Sequence, residues 1–221
     1  MNDGKVIKVN YFKISDFCTW GDESAFNTKI DFDKVKKYSS LIPWRFERSK
    51  SYVEDIDRLR CILSGILIYK SFGDACKEVL YNKLNKPYFD NSDWNFNISH
   101  SGDYVVFVRD TEKIGIDIER IKKENLDIID YPFSDKEKEF IDNDIEKLTR
   151  LWTIKESVFK ASGIEEAIEY RYIDVVDTLN NKQVCLFGTK YNIISEKVDD
   201  YYLSVASLKE YERIALIKEN L

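Results

Sequence analysis

The chain has 221 residues, with 34 Lys and Arg, 40 Asp and Glu and a single His, for a formal net charge of −6 at pH 7. This acidic surplus excludes a general nucleic-acid binder, because the phosphate backbone rewards Lys and Arg on the contacting surface. A hydrophobic fraction of 43%, including 13 Phe and 14 Tyr, excludes disorder and supplies a sizeable core for one large domain or two small ones. Cys18, Cys61, Cys76 and Cys185 are scattered without a CxxC pair, so neither a zinc site nor a disulfide framework is expected. The N-terminal MNDGKVIKVNYFKI lacks the apolar core of a secretory signal and no run approaches a membrane span, which makes the cytoplasm the expected location.

In chain order, residues 6–14 alternate as a strand, and Asp33 to Leu41 reads as a short helix stopping near Pro43. From Asp57 through Ser71 the apolar positions Leu59, Ile62, Leu63, Ile66 and Tyr69 recur at helical spacing, with Gly73 as a stop and Arg58 and Arg60 opening the exposed side. A second helical piece is expected over Asp74 to Leu84, and Pro87 marks a return to extended chain. Strands follow at 96–98, 104–109 and 113–120, the last two predicted to form a hairpin around Asp110 and Thr111. Ser134, with Glu137 three residues on, is a helix start. A longer helix runs from about Ile145 to Ser162, closed by Gly163, and the stretches YIDVV, KQVCLFG, YNIIS, YYLSVASL and RIALI read as strands. Helix followed by strands in each half predicts two α+β lobes, 1–111 and 112–221, packed closely together.

Three segments concentrate the chemistry. In IGIDIER, period-two alternation sends Ile114, Ile116 and Ile118 to one face and Gly115, Asp117 and Glu119 to the other. Paired carboxylates repel unless a cation intervenes, and hard oxygen ligands suit Mg²⁺ or Mn²⁺; the bland alternative is a solvated acidic face. In RLWTIKESVFKASG, Trp152, Glu156 and Lys160 share a helical stripe, so Glu156 is placed to complete a three-carboxylate site, unless it is an ordinary surface partner of Lys160. In FNISHSG, Ser99 and His100 stand near a strand end, where they can meet a phosphate. Arg45, Arg48, Arg60 and Lys86 are candidates for a phosphate-binding patch. Together these groups are the equipment for moving a phosphate-containing group with a hard metal ion.

The joint pattern of NKPYF, FNISHSG, IGIDIER, FSDKE and LWTIKESVFKASG resembles the 4′-phosphopantetheinyl transferases of the pseudodimeric, surfactin-synthetase-activating type. The resemblance runs from about Arg45 to Gly163. It implies an α+β fold of two similar lobes related by a pseudo-twofold axis, with coenzyme A between them. The first lobe would contact its nucleotide, and the second would carry the metal site and catalytic helix. The implied reaction moves the phosphopantetheine arm of coenzyme A to a serine hydroxyl of an acyl, peptidyl or aryl carrier protein, releasing 3′,5′-ADP.

Carried over position by position, Asp117, Glu119 and Glu156 would hold Mg²⁺, or Mn²⁺, against the pyrophosphate. Glu156 would accept the serine proton, with Glu119 or a metal-bound water as alternatives. Lys160 would contact the pyrophosphate and His100 the 3′-phosphate, while Arg60 and Lys86 would grip the nucleotide end with Arg45, Arg48, Pro87 and Ser99 beside them. Asn85 stands where the family usually has Gly, a change expected to alter the turn more than the chemistry. The stretch 121–147 would help dock the carrier, through Leu126, Ile128, Ile129 and Phe133 unless these enter the chain's own core. The resemblance implies a monomer without nucleic-acid or membrane partners, and the C-terminal fifty residues are expected to complete the second lobe's sheet. Competing readings are a Mg²⁺-dependent hydrolase of a nucleotide pyrophosphate and a non-catalytic carrier-binding subunit.

Overall fold

The computed structural model describes residues 5–19, 29–90, 92–124, 130–166 and 168–221. The fold is α+β. Strands β1 (Val6–Lys13), β6 (Asn95–Ser101), β7 (Tyr104–Asp110) and β12 (Arg213–Lys218) form one sheet in the order β12-β1-β7-β6. Strands β8 (Ile114–Arg120), β9 (Gln183–Leu186), β10 (Thr189–Val198) and β11 (Tyr201–Ser207) form a second, in the order β8-β11-β10-β9. Two-stranded ribbons pair β2 (Cys18–Thr19) with β3 (Lys29–Ile30), and β4 (Val79–Tyr81) with β5 (Pro87–Phe89). The helices are α1 (Asp33–Lys36), α2 (Pro43–Ser49), α3 (Asp55–Phe72), α4 (Asp135–Ile141), α5 (Ile145–Ser162) and α6 (Thr178–Asn181).

Alternation along the strands sorts the core into layers. On β7, Val105 and Phe107 join Phe12 of β1 and Leu59, Leu63, Ile66 and Leu67 of α3 in one cluster. Val106 and Val108 point the other way, against Ile114, Ile116 and Ile118 of β8 and Leu203 and Val205 of β11. Leu148, Leu151, Ile154 and Val158 of α5 close a third cluster over Val184, Tyr191, Ile193 and Ala206. The order is therefore helix, sheet, sheet, helix, each layer supplying an apolar face that its neighbour needs.

The long helices carry readable ends. α3 has Asp55 and Asp57 in its first turn, where they favour the positive end of the helix dipole, and Gly73 at φ 57° closes it. The Asp144 side chain accepts from the Glu146 and Lys147 N–H groups at the start of α5, which ends at Gly163 with φ 71°. α4 opens on the expected capping box of Ser134 and Glu137.

Several expected elements are corrected. The helix expected over 33–41 is only the four residues of α1, and Pro43 opens α2 instead of ending its predecessor, since a first helical turn does not need the missing N–H. The helix expected over 74–84 is a 3₁₀ turn, Gly73–Glu78, followed by β4, which pairs with β5 through a turn at Asn82 to Lys86. The predicted 104–120 hairpin does not form: β7 pairs with β6 across the Gly102–Asp103 turn, and β8 crosses into the second sheet to pair with β11. Both strands bury apolar faces in the same layer, but from opposite sheets. YIDVV is a 3₁₀ turn and irregular chain, because buried side chains take its backbone groups. RIALI becomes β12, the parallel neighbour of β1, so of the C-terminal fifty residues β9, β10 and β11 complete the second sheet while β12 joins the first. Phe133 is buried in the chain's own core, and Leu126, Ile128 and Ile129 lie outside the described residues.

The contact that places the site is α5 on β8. A Cβ at Gly115 would fall 2.1 Å from the Ser157 carbonyl oxygen and 2.4 Å from the Ala161 nitrogen, so the helix backbone lies where a side chain would be. Gly115→Ala is expected to destabilise the chain by about 3 kcal/mol, because backbone atoms cannot give way as a flexible side chain does. Urea unfolding checks this, and an unchanged midpoint would show that α5 can lift without cost.

Candidate active site

Seating α5 at Gly115 puts Glu156 and Lys160 beside the acidic face of β8. Lys160 Nζ lies 2.6 Å from Asp117 Oδ1 and 4.0 Å from Glu156 Oε2. Asp117 is 2% exposed, and its Oδ2 is buried without a hydrogen-bond partner. Burial, followed by the neighbouring Asp117 charge, pushes the Glu119 carboxyl up to about 7. Burial also raises Glu156, against the opposing influence of Lys160. For Lys160 burial works downward, yet Asp117 and Glu156 hold it above the ordinary lysine range.

The edge of β8 facing the first sheet is satisfied by side chains. Asn97 Oδ1 accepts from the Ile116 N–H at 3.0 Å, Ser99 Oγ from Ile118 at 3.4 Å and Ser101 Oγ from Arg120 at 3.2 Å. The same serines donate to the acidic face, Ser99 to Asp117 Oδ1 and Ser101 to Glu119 Oε2, both at 2.7 Å. Strand β6 runs on to Ser101 instead of stopping at Ile98, which brings these three residues onto one face.

The opposite wall is basic. Arg45 is 6% exposed, its guanidinium packed 4.9 Å from the Trp44 ring and 5.6 Å from that of Tyr81. Its Nε has no hydrogen-bond partner, and its Nη1 donates to the Cys61 thiol sulfur at 3.8 Å. Arg48 lies over the same Tyr81 ring at 4.4 Å and donates to Asn85 Oδ1 at 3.5 Å. Asn85 has φ 61°, a left-handed conformation that asparagine tolerates and glycine prefers. Gly65 makes room for Arg45: a Cβ there would sit 2.4 Å from the arginine Cγ.

Between the walls is a cleft of about 470 Å³ that gathers Arg45, Arg48, Pro87, Ser99, His100, Asp117, Glu119, Glu156 and Lys160. Two expected members lie outside its lining. Lys86 borders an adjoining pocket of about 300 Å³ and donates to the Lys160 carbonyl; burial and then Lys160 and Lys113 push its pKa down to about 8. Arg60 is not turned to open solvent: it pairs with Asp57 at 3.0 Å and donates to the Gly102 carbonyl at 2.6 Å. A larger groove of about 850 Å³, lined in part by Lys13, Tyr104, Asp199 and Tyr201, contains no expected site residue. His100 keeps solvent exposure at the cleft, yet desolvation by its walls, then the charges of Arg60 and Lys160, pushes its pKa down to about 4. Its imidazole is neutral at pH 7.

Support comes from a buried ion pair. Lys155 and Glu137 are both fully buried, with Nζ 2.8 Å from Oε1. Lys155 also donates to the Tyr170 and Ile173 carbonyls at 2.9 and 2.5 Å, and Glu137 accepts from the Val175 and Ser134 N–H groups. These bonds hold Tyr170 against α5, its ring 5.1 Å from Trp152 and 5.3 Å from Phe159. Residues 152 and 159 flank Glu156 along the helix, and Tyr170 interacts with that carboxylate, which, after burial, raises the phenol's pKa. Ser101 and Tyr170 were not among the expected site residues. The period of β6 could have identified Ser101; Tyr170 lies just beyond the LWTIKESVFKASG motif, in a segment without a periodic pattern, and carries no signal of its own.

Residues 113–206, which carry Asp117, Glu119, Glu156 and Lys160, match the model of the 4′-phosphopantetheinyl transferase superfamily. The chain is 34% identical over 123 residues to the 4′-phosphopantetheinyl transferase gsp of Aneurinibacillus migulanus, covering 51% of this chain and 52% of that protein. It is 39% identical over 129 residues to a 4′-phosphopantetheinyl transferase of Bacillus subtilis, covering 53% and 58%. With the 4′-phosphopantetheinyl transferase Sfp of Bacillus subtilis (strain 168), identity is 31% over 144 residues, covering 59% and 64%. The chain thus spans between half and two thirds of the length of these relatives.

Removing one partner of the buried pair leaves the other charge uncompensated. Lys155→Met is therefore expected to cost about 3 to 5 kcal/mol in urea unfolding, with part of the loss recovered in the Glu137→Leu/Lys155→Met double variant. For His100 the pH dependence has a definite sign. Its pKa is about 4 when folded against the ordinary 6.5, so between these values the unfolded chain binds more protons and folding weakens as pH falls. Against His100→Gln, the wild type should lose urea-unfolding stability between pH 7 and about pH 5, and equal losses would contradict the shift.

Proposed function

We propose that the chain transfers the 4′-phosphopantetheine group of coenzyme A to a serine hydroxyl of a carrier protein, releasing 3′,5′-ADP. The observation that carries this reading is the polarity of the cleft: the guanidinium of Arg45, whose Nε has no hydrogen-bond partner, faces three carboxylates and Lys160 across it, together with Arg48. A basic wall suits the phosphates of a nucleotide, since arginine offers a planar fork of donors. The acidic wall suits a hard divalent cation. The buried, unpartnered Asp117 Oδ2 and the mutual repulsion around Glu119 are what such an ion would relieve.

Asp117, Glu119 and Glu156 would hold Mg²⁺ or Mn²⁺. When bound, the ion supplies charge neutralisation at the pyrophosphate. In the arrangement present, with Lys160 standing among the carboxylates, no three acidic, His or Cys side chains of the described residues are gathered closely enough to hold an ion, so binding one requires Lys160 to move. In the proposed reaction Lys160 turns from Asp117 to the pyrophosphate and stabilises the departing 3′,5′-ADP. Glu156 accepts the proton of the carrier serine as its oxygen bonds to the phosphorus bearing the pantetheine arm and the bond to the departing phosphate breaks. Neutral His100 donates to a phosphate oxygen of the nucleotide, with Ser99 and Pro87 lining the same wall. Lys86 and Arg60 act behind the lining, Lys86 on the Lys160 carbonyl and Arg60 on the Gly102 turn.

One chain supplies both walls of the cleft, which supports action as a monomer made of two lobes related by a pseudo-twofold axis. The four cysteines are unbridged, and no helix among the described residues is long and apolar enough to cross a membrane. Both features are compatible with a cytoplasmic enzyme.

The deciding experiment is the intact mass of apo carrier protein after incubation with the chain, coenzyme A and Mg²⁺. A gain of one phosphopantetheine arm is expected, abolished by EDTA and lowered about a thousandfold in rate by Glu156→Gln. Coenzyme A cleavage without carrier modification would make the chain a hydrolase, and coenzyme A binding without turnover a carrier-binding subunit. Arg48→Gln is expected to weaken coenzyme A binding about tenfold, the loss of one charge-assisted hydrogen bond, as read by calorimetry.

A further inference from the structure

Three side chains of β6 meet three successive outward N–H groups of β8, and the residue type on each rung follows what stands beside it. Asn97 serves Ile116, the N–H that follows Gly115; Ser99 serves Ile118, after Asp117; Ser101 serves Arg120, after Glu119. Where β8 carries a carboxylate, the rung is a hydroxyl that both accepts and donates. Where β8 carries Gly115, the rung is an amide.

At Ser101 the geometry is complete. The Arg120 N–H occupies an oxygen lone pair at 3.2 Å, and the hydroxyl proton is directed to Glu119 Oε2 at 2.7 Å. Glu119 needs such a hold more than Asp117 does. Its side chain is one carbon longer and is only partly buried, and it stands on the same strand face as Asp117, whose charge repels it. Asp117 has two holds, from Ser99 and Lys160, whereas Ser101 is the hydrogen-bond donor that the described residues give Glu119.

Resting on the metal reading of this cleft, we infer that Ser101 is a positioning residue for Glu119. It keeps one carboxylate oxygen tied to β6 so that the other is presented on the ligand side, beside Asp117 and Glu156. Ser101 acts through Glu119 and does not itself touch the reacting atoms. A hydroxyl satisfies both neighbours with one oxygen atom, accepting from the Arg120 N–H while donating to the carboxylate.

The test is Mn²⁺ affinity of the full chain without coenzyme A or carrier, read from the electron paramagnetic resonance of free Mn²⁺, with thermal unfolding alongside. Ser101→Ala is expected to weaken Mn²⁺ binding about tenfold, and Ser101→Thr to restore it. In a Glu119→Gln background Ser101→Ala should cause no additional loss, because its effect passes through that carboxylate. Undiminished Mn²⁺ affinity in Ser101→Ala, or a full additional loss in the Glu119→Gln background, overturns the inference. Should Ser101→Ala fail to fold, Ser101→Thr and Ser101→Cys decide it, with retained affinity in the first and reduced affinity in the second expected; equal affinities overturn it. A wild-type chain that binds no Mn²⁺ overturns the metal reading itself, and this role with it.

Discussion

The architecture depends on the close approach of α5 to β8 over Gly115. A helix can rest its backbone on a strand only where the strand has no side chain, and here the Ser157 carbonyl and the Ala161 nitrogen occupy the place of a Cβ. Along β8 the same face carries Gly115, then Asp117, then Glu119; along α5 the same stripe carries Glu156 and Lys160. Contact at the glycine therefore sets the distance between helix and strand, and with it the 2.6 Å approach of Lys160 to Asp117. The site follows from a packing contact one step away from it.

β8 is also the edge strand of its sheet, with N–H groups that need partners. A fifth strand would have closed the cleft. Asn97, Ser99 and Ser101 instead cap the edge with side chains, joining the two sheets while leaving space beside the carboxylates. The polar groups of the interface are thus also the inner wall of the site. Burial raises the proton affinity of Glu119 and Glu156, and Lys160 is the charge that offsets them. On the opposite wall, Arg45 is held by aromatic rings instead of by an acid, so its guanidinium remains available to an anion. The Lys155–Glu137 pair, buried beneath α5, satisfies backbone groups of the 170–175 segment and thereby holds Tyr170 against the helix face that carries Glu156.

The local signals in the sequence proved legible where one physical cause dominated. The alternation of IGIDIER placed its three isoleucines in the core and its acids outside it. The spacing of Leu59, Ile62, Leu63 and Ile66 marked α3, and Gly73 and Gly163 marked helix ends. Failures fell where two causes competed. Residues 79–81 are extended because a partner, 87–89, is available across a turn. YIDVV alternates like a strand, but Lys155 and Glu137 claim its backbone groups. For β7, sequence proximity favours pairing with β8, whereas the apolar layer the two strands share lies between sheets.

What the sequence by itself determined is the chemical inventory and its local geometry: three carboxylates, a lysine and a histidine, on a strand face, a helix stripe and a strand end, with the period of each element deciding which residues share a side. These depend only on backbone repeat and on neighbours a few residues away. What only the tertiary structure decided is which long-range partners those groups have. Arg60 is spent on Asp57 and the Gly102 turn, Lys86 on the end of α5, Ser101 on Glu119 and Tyr170 on Glu156, and β12 belongs with β1. Each of these depends on the packing of surfaces distant in the chain, for which no local period carries a signal.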